Sequence, residues 1–431
     1  MIRALGLMLG FLIALGFCRT AHAEIFKVLS PTELTEAMKK SRPGDEIVLA
    51  EGDWHDVELR IDGQGTESAP ILVRAAVPGK TILTGASRVR LSGNYVIVSG
   101  LWLHNPTESK HDWFEFRFDS KRRASHCTVT NCAFTEDDDF NSFDNENRWI
   151  GIFGEANQVT SCRMVGKKNK GTTLVVWLGD QDQGSHRIVS NYFGIRPALG
   201  KNGGETIRIG DSEASMQSAH CLVEQNLFEA CDGETECISN KSCENSYREN
   251  TFLEVQGTLT LRHGNRCLVE KNIFIGNRKS RTGGIRIIGE DHHVVGNYLQ
   301  DLEGDGFRSA ITVMNGFPNS KLNGYFPVQR AIVENNMIVN CKHSLLLGYN
   351  DEAKATVVPS DCTFRRNSII ARAGQLGIEI AKMPERSQFE GNRVQADDFD
   401  ANLIPGIEKA NSIDVKCPTP LTTNDVGPKW R

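Results

Sequence analysis

At 431 residues with only 12 cysteines, the chain is too long and too cysteine-poor to be a disulfide-stapled mini-protein. Hydrophobic residues at 39% and charged residues at 24% describe a soluble globular protein, not a disordered or membrane-embedded one. A formal charge of -5 with no basic block argues against nucleic acid as a partner.

The first 23 residues read as a cleaved secretory leader. Arg3 is a short basic start, Ala4 to Phe17 is an apolar run, and Ala21-His22-Ala23 is a small-x-small cleavage site. The run is too short to span a bilayer. The expected location is therefore secreted or periplasmic, with no membrane anchor. Loss of Cys18 with the leader leaves 11 cysteines, an odd number, so at least one thiol is free or pairs between chains.

Next comes a helix start. Ser30 is an N-cap, Pro31 suits the first turn, and Glu33 is placed for a capping box. Leu34, Ala37 and Met38 form one apolar stripe. These residues predict a short helix closing the open end of a solenoid, where a first coil would otherwise expose its edge.

From Val98 onward the chain repeats. Segments such as VEQNLF (223–228), VEKNIF (269–274) and VENNMI (333–338) recur 11 times at spacings of 22 to 39 residues. Counting the fourth residue of each segment as position zero, eight of these positions are Asn: 191, 226, 250, 272, 297, 336, 367 and 392. Positions -3 and +2 are apolar in all 11 segments. A minimum near 22–25 residues with longer excursions fits coils of short strands carrying surface loops. The expected fold is all-β, a single-stranded solenoid of the parallel β-helix type spanning residues 24–404, with coils about 4.8 Å apart. The recurrent Asn is expected to adopt the left-handed conformation and to stack its side chains along the axis. Cys127, Cys221, Cys267 and Cys362 share position -5, while Cys132 and Cys162 occupy position zero in adjacent coils. They are expected to be buried thiols, with a Cys132–Cys162 disulfide open. Residues 405–431 lose the repeat and are expected to pack along the solenoid or trail from it.

The chemistry concentrates between Cys231 and Arg266. Glu234 and Glu236 are two apart and would share one face of a strand. Lys241, Arg262 and Arg286 lie nine, ten and eleven residues before their Asn positions. Such near-equal offsets suggest a row of cations, one per coil, beside a carboxylate pair. That arrangement suits a groove for an extended anionic chain. The acidic run Glu136–Asp139 reads as a solvated loop.

The motifs NGGETIRIG (202–210), ETECISNKS (234–242) and LRHGNR (261–266) resemble polysaccharide lyase family 6, which holds alginate lyases and the dermatan sulfate lyase chondroitinase B. The resemblance runs from about Phe26 to Asn392. It implies a right-handed parallel β-helix and calcium-assisted β-elimination. It carries the Ca2+ ligands onto Asn202, Glu234 and Glu236, the Brønsted base onto Lys241 and the proton donor onto Arg262. His263 and Arg286 are expected as subsite residues contacting carboxylates, and the matches at Asp351 and Glu352 carry no role. The implied substrate is a 4-O-linked uronate polysaccharide, alginate before dermatan sulfate, acted on by a monomer.

The chemistry is self-consistent. The C5 proton of a uronate is weakly acidic, and a divalent cation on the adjacent carboxylate stabilises the charge that develops when the proton leaves. Oxygen ligands suit Ca2+. The base must be an uncharged amine, and free lysine titrates near about 10.4, so activity is expected to be highest at alkaline pH. Guanidinium is a poor acid, so Arg262 could instead hold the leaving oxygen or polarise a water. A glycoside hydrolase would need an Asp pair or triad, and none accompanies Lys241 and Arg262. The non-enzymatic alternative is a β-helical carbohydrate-binding protein, which needs no lysine base.

Overall fold

The computed structural model describes residues 23–108, 110–140, 146–397 and 404–431. All of the expected leader except Ala23, including Cys18, lies outside the described residues. Among the described residues no helix is long and apolar enough to cross a membrane.

Three long parallel sheets run the length of the molecule, and each coil contributes one short strand to each sheet. The first sheet runs from Ile25–Val28 to Gln388–Glu390 and the third from Gly52–His55 to Ile407–Lys409. The second, which carries the chemistry, ends at Ile378–Ile380. This is a parallel β-helix. The helix α1, Pro31–Lys40, caps it as expected. Ser30 Oγ accepts from the Glu33 amide at 3.2 Å, the Glu33 carboxylate accepts from the Leu29 amide at 2.8 Å, and Leu34, Ala37 and Met38 are buried.

The repeat is the corner between the first and third sheets. Residues at position -3 pair directly in the first sheet, as in Val223↔Tyr247 and Tyr247↔Val269. Residues at position +2 pair in the third, as in Phe228↔Phe252 and Phe252↔Phe274. The rings of Phe193, Phe228, Phe252 and Phe274 form one stack with centroids 4.9, 4.7 and 4.4 Å apart. Between the two sheets the eight Asn residues form a buried ladder. The first seven each donate the side-chain amide to the next side-chain oxygen, as in Asn250 Nδ2 to Asn272 Oδ1 at 2.9 Å and Asn272 Nδ2 to Asn297 Oδ1 at 3.0 Å, and Asn392 ends the ladder on Phe364 O. The left-handed residue is not the Asn, however. It is the preceding position: Gln225, Glu249, Lys271, Asn335 and Arg366 have φ between 51° and 54°. A side chain committed to the ladder must point inward, so the corner's turn falls one residue earlier, where the side chain faces solvent.

All 11 described cysteines are free thiols, Cys132 and Cys162 included. Ten are buried, and burial pushes Cys127, Cys221, Cys267 and Cys341 up to about 12, which leaves them inert packing groups. Of the acidic run, Asp137–Asp139 is solvated, but Glu136 is buried and accepts from the Lys168 amide. The terminal segment adds a last rung, Ile407–Lys409, to the third sheet before turning back. It then runs toward the first coils along that sheet: Leu421 N donates to Thr251, Gly427 N to Ser190, and Trp430 Nε1 to Asn131 O.

Candidate active site

The strand Glu236–Lys241 of the second sheet lies between Ile207–Gly210 and Thr258–His263. Glu234 precedes it in the turn. Its Oε2 accepts from the amides of Gly203 at 2.7 Å and Gly204 at 3.2 Å. This cradle requires glycine: a Cβ on Gly204 would lie 2.4 Å from Gly233 O, and Gly203 has φ +98°. Burial, then repulsion from Glu205 and Glu236, raises the Glu234 carboxyl to about 7. Glu236 accepts from Ser239 Oγ at 2.5 Å and lies 3.8 Å from Arg262 Nε. Asn202, exposed, adjoins the Gly203 amide that holds Glu234.

These oxygens suit a hard divalent cation, since a carboxylate whose charge is opposed by burial and then by neighbouring carboxylates is what a cation would relieve. Among the described residues no three His, Cys, Asp or Glu side chains converge closely enough to hold an ion. The expected set has two carboxylates and one amide, so it would leave the remaining coordination positions to water and substrate.

Lys241 ends the strand, half-buried, in register with Gly210 and His263. Among the described residues its amine has no hydrogen bond or ion pair. Arg262 is anchored by a loop far away in sequence. Its Nη1 donates to Gly324 O at 3.0 Å, and its guanidinium lies 4.3 Å from the ring centre of Tyr325. Arg286 lies 5.0 Å from the same ring centre, and its Nη2 pairs with Asp351 at 3.0 Å. The Tyr325 hydroxyl donates to the same Asp351 oxygen at 3.4 Å.

The expected vertical row of cations is therefore corrected. Arg262 sits in a register shift between Leu261 and His263, and Arg286 pairs with Thr260, not with Arg262 or Lys241. An uninterrupted strand would turn Lys241 and a residue offset by one to opposite faces; the bulge at Arg262 brings the guanidinium back toward Glu236. Arg286 and His263 are more enclosed than free subsite contacts would be, at 4% and 2% exposed. Arg286 already has Asp351 as its carboxylate partner. His263 Nε2 lies 3.4 Å from Ser212 Oγ, and burial, with Arg262 and Lys241 nearby, lowers the imidazole to about 3.

His186 and His292 are also buried neutral, lowered by burial to about 3 and 4. All three folded values lie below the unfolded 6.5, so their contribution to stability is complete above pH 6.5 and is lost as pH falls toward 4. Glu234, raised, takes up one proton in the folded state over much of the same range and offsets one of the three. Unfolding should thus take up about two extra protons near pH 5.5, a slope of roughly 3 kcal/mol per pH unit. Urea melts between pH 7 and pH 5 measure it; a flat profile would contradict the burial of these rings.

Tyr325, Asp351 and Glu205 join the site without having been assigned to it from sequence. The only signal for Tyr325 was its place in the 39-residue coil, the longest.

Fold and site together define a parallel β-helix bearing a carboxylate, lysine and arginine groove on its second sheet. The chondroitinase B family model matches residues 28–424. The chain belongs to that family, polysaccharide lyase family 6. Among solved structures it is similar to the PL6 family alginate lyase AlyGC, at 39% identity and TM-score 0.85 over 93% of this chain. It spans only 55% of AlyGC's length. A mannuronic acid specific family 6 lyase from human gut microbiota is 27% identical, TM-score 0.82, covering 95% of this chain and 97% of its own. The PL6 polysaccharide lyase Pedsa3628 from Pseudopedobacter saltans is 25% identical, TM-score 0.77, covering 94% and 99%. No curated protein matches the chain.

Proposed function

We propose that the protein is a polysaccharide lyase that cleaves 4-O-linked uronates, with alginate as substrate, by β-elimination. The observation that carries this is the Lys241 amine, without a partner among the described residues, on the strand that begins with Glu236, with Arg262 Nε 3.8 Å from that carboxylate. Lys241 takes the C5 proton, the C4–O4 bond breaks, and a C4=C5 double bond forms. Arg262, fixed by Gly324 and Tyr325, donates hydrogen bonds to the departing oxygen. That oxygen leaves as a hydroxyl, protonated by Arg262 or by a water that Arg262 polarises. Asn202, Glu234 and Glu236 would hold Ca2+, which supplies neutralisation of the uronate carboxylate when bound. Alginate is favoured over dermatan sulfate because AlyGC, at 39% identity, is an alginate lyase.

Incubation with mannuronate and guluronate blocks, dermatan sulfate and pectate, followed by ultraviolet absorbance of the unsaturated product, tests the reading. No absorbance with any of the four would reject it. Exhaustive chelation should lower the rate by about 10²-fold or more, restored by added Ca2+. Ca2+ should also raise the melting temperature of the wild type but not of Glu234→Gln. A rate indifferent to chelation would remove the cation from the reaction.

A further inference from the structure

A cavity of about 440 Å3 opens beside Glu234, on the side from which the catalytic strand enters. Asn202, Glu234, Gln256, Arg281 and Arg308 line it, one from each of five successive coils. It therefore follows the solenoid axis for about 19 Å, four coil spacings. The negative charge of Asp232 within it is already matched by Lys279 at 2.7 Å. Its cations are not matched. Among the described residues neither Arg281 nor Arg308 has a carboxylate within ion-pair distance. Arg308 is nonetheless fixed: its Nε donates to Gln256 O at 3.2 Å, and its guanidinium rests 4.6 Å from the Phe307 ring centre. Burial, with repulsion from Arg281 and Arg286, lowers the Arg308 guanidinium to about 10. Two guanidinium groups lining one water-accessible space, neither of them ion-paired among the described residues, are a receptor for an external anion.

We propose that Arg281 and Arg308 form an anion subsite that holds the carboxylate or sulfate of a sugar next to the one being cleaved. This rests on the lyase reading of the groove and adds to it the direction in which the polysaccharide lies, along the axis past Glu234. Neither arginine takes part in proton transfer, so both act on binding of longer chains.

The test titrates uronate and dermatan sulfate tetrasaccharides, and a neutral cello-oligosaccharide, into Lys241→Ala and into Lys241→Ala carrying Arg281→Gln and Arg308→Gln. Loss of the arginines should weaken the anionic tetrasaccharide by about tenfold or more and flatten its salt dependence, with the neutral sugar unaffected. Whichever anionic sugar shows the loss identifies the group held. In the otherwise wild-type enzyme the same two substitutions should raise KM on polymer with kcat within about twofold, a split that loss of uniform binding produces. Should the double variant melt early, Arg281→Gln alone, at an exposed position, gives the same reading. Unchanged tetrasaccharide affinity in a variant that folds would overturn the subsite while leaving the lyase intact. Absence of turnover in the wild type would instead reject the lyase reading.

Discussion

Replacing Lys241 by Ala is expected to lower kcat on alginate by about 10³-fold while leaving affinity for oligosaccharide nearly unchanged. The amine lies on the strand that carries Glu236, and its neighbours are poor bases: Arg262 and Arg286 are guanidinium groups, and the His263 ring is 2% exposed. The fold should not suffer, because among the described residues Lys241 holds no partner whose loss would leave a buried group unsatisfied. Lys241→Arg separates proton transfer from charge. It keeps a cation at the same point but cannot act as a base, so it should be about as inactive as the alanine variant. Arginine restoring even a tenth of wild-type turnover would show that the position supplies charge alone, and the base would have to be sought elsewhere. Arg262→Ala should be less simple to read, because it also frees the Tyr325 ring and the loop that carries Gly324.

The parts of this molecule that the sequence made legible are those where one physical requirement recurs in every coil. The corner between the first and third sheets needs an apolar residue, a turn and an inward hydrogen-bonding side chain at fixed spacing. The pattern of Val, Asn and Phe therefore foretold registers such as Val223↔Tyr247 and Phe228↔Phe252. The second sheet has no such constancy. From Leu261 to Leu268 the chain advances seven residues, whereas from Ile287, the partner of Leu261, to His293 it advances six, and the strand ending at His263 contains a bulge. Offsets counted from the Asn therefore located the right strands but not the right rungs, and Arg286 fell beside Thr260. Tyr325 and Asp351 were illegible for a different reason. Their contacts with Arg262 and Arg286 cross 39 to 65 residues of chain through surface loops, and no local periodicity encodes where such a loop lands. The strand of the candidate site, Glu236–Lys241, stood out in the sequence because its pattern is local: the carboxylates and the lysine lie within eight residues of one another.

The same reasoning makes the Asn ladder the most vulnerable structural feature, and Asn272→Ala should destabilise the protein by about 3–5 kcal/mol. The Asn272 side chain makes four buried hydrogen bonds. It donates to Tyr247 O at 2.9 Å and to Asn297 Oδ1 at 3.0 Å, and it accepts from the Asn250 amide at 3.1 Å and the Asn250 side chain at 2.9 Å. Truncation strips the Asn250 backbone N–H of the oxygen it donates to, and takes one donor from the Tyr247 carbonyl, in a place water cannot reach. Each costs about 1–3 kcal/mol, and the small void adds to that. Substitution at the preceding residue gives the contrast. Lys271 is exposed with φ 51°, so Lys271→Gly should be neutral or mildly stabilising, by relieving the left-handed strain. Urea titration measures both, and a loss below about 1 kcal/mol for Asn272→Ala would mean that the ladder follows the fold without holding it. The position of the break matters as much as its size. In a solenoid each coil is supported only by its neighbours, so a weak rung in the middle can divide one cooperative transition into two. Asn272 closes the coil that carries Arg262 and His263, and the coils beyond it carry Arg286, Tyr325 and Asp351. The half of the protein that loosens first is therefore the half that fixes Arg262. Under mild urea the variant should lose turnover before it loses the bulk of its β-sheet signal.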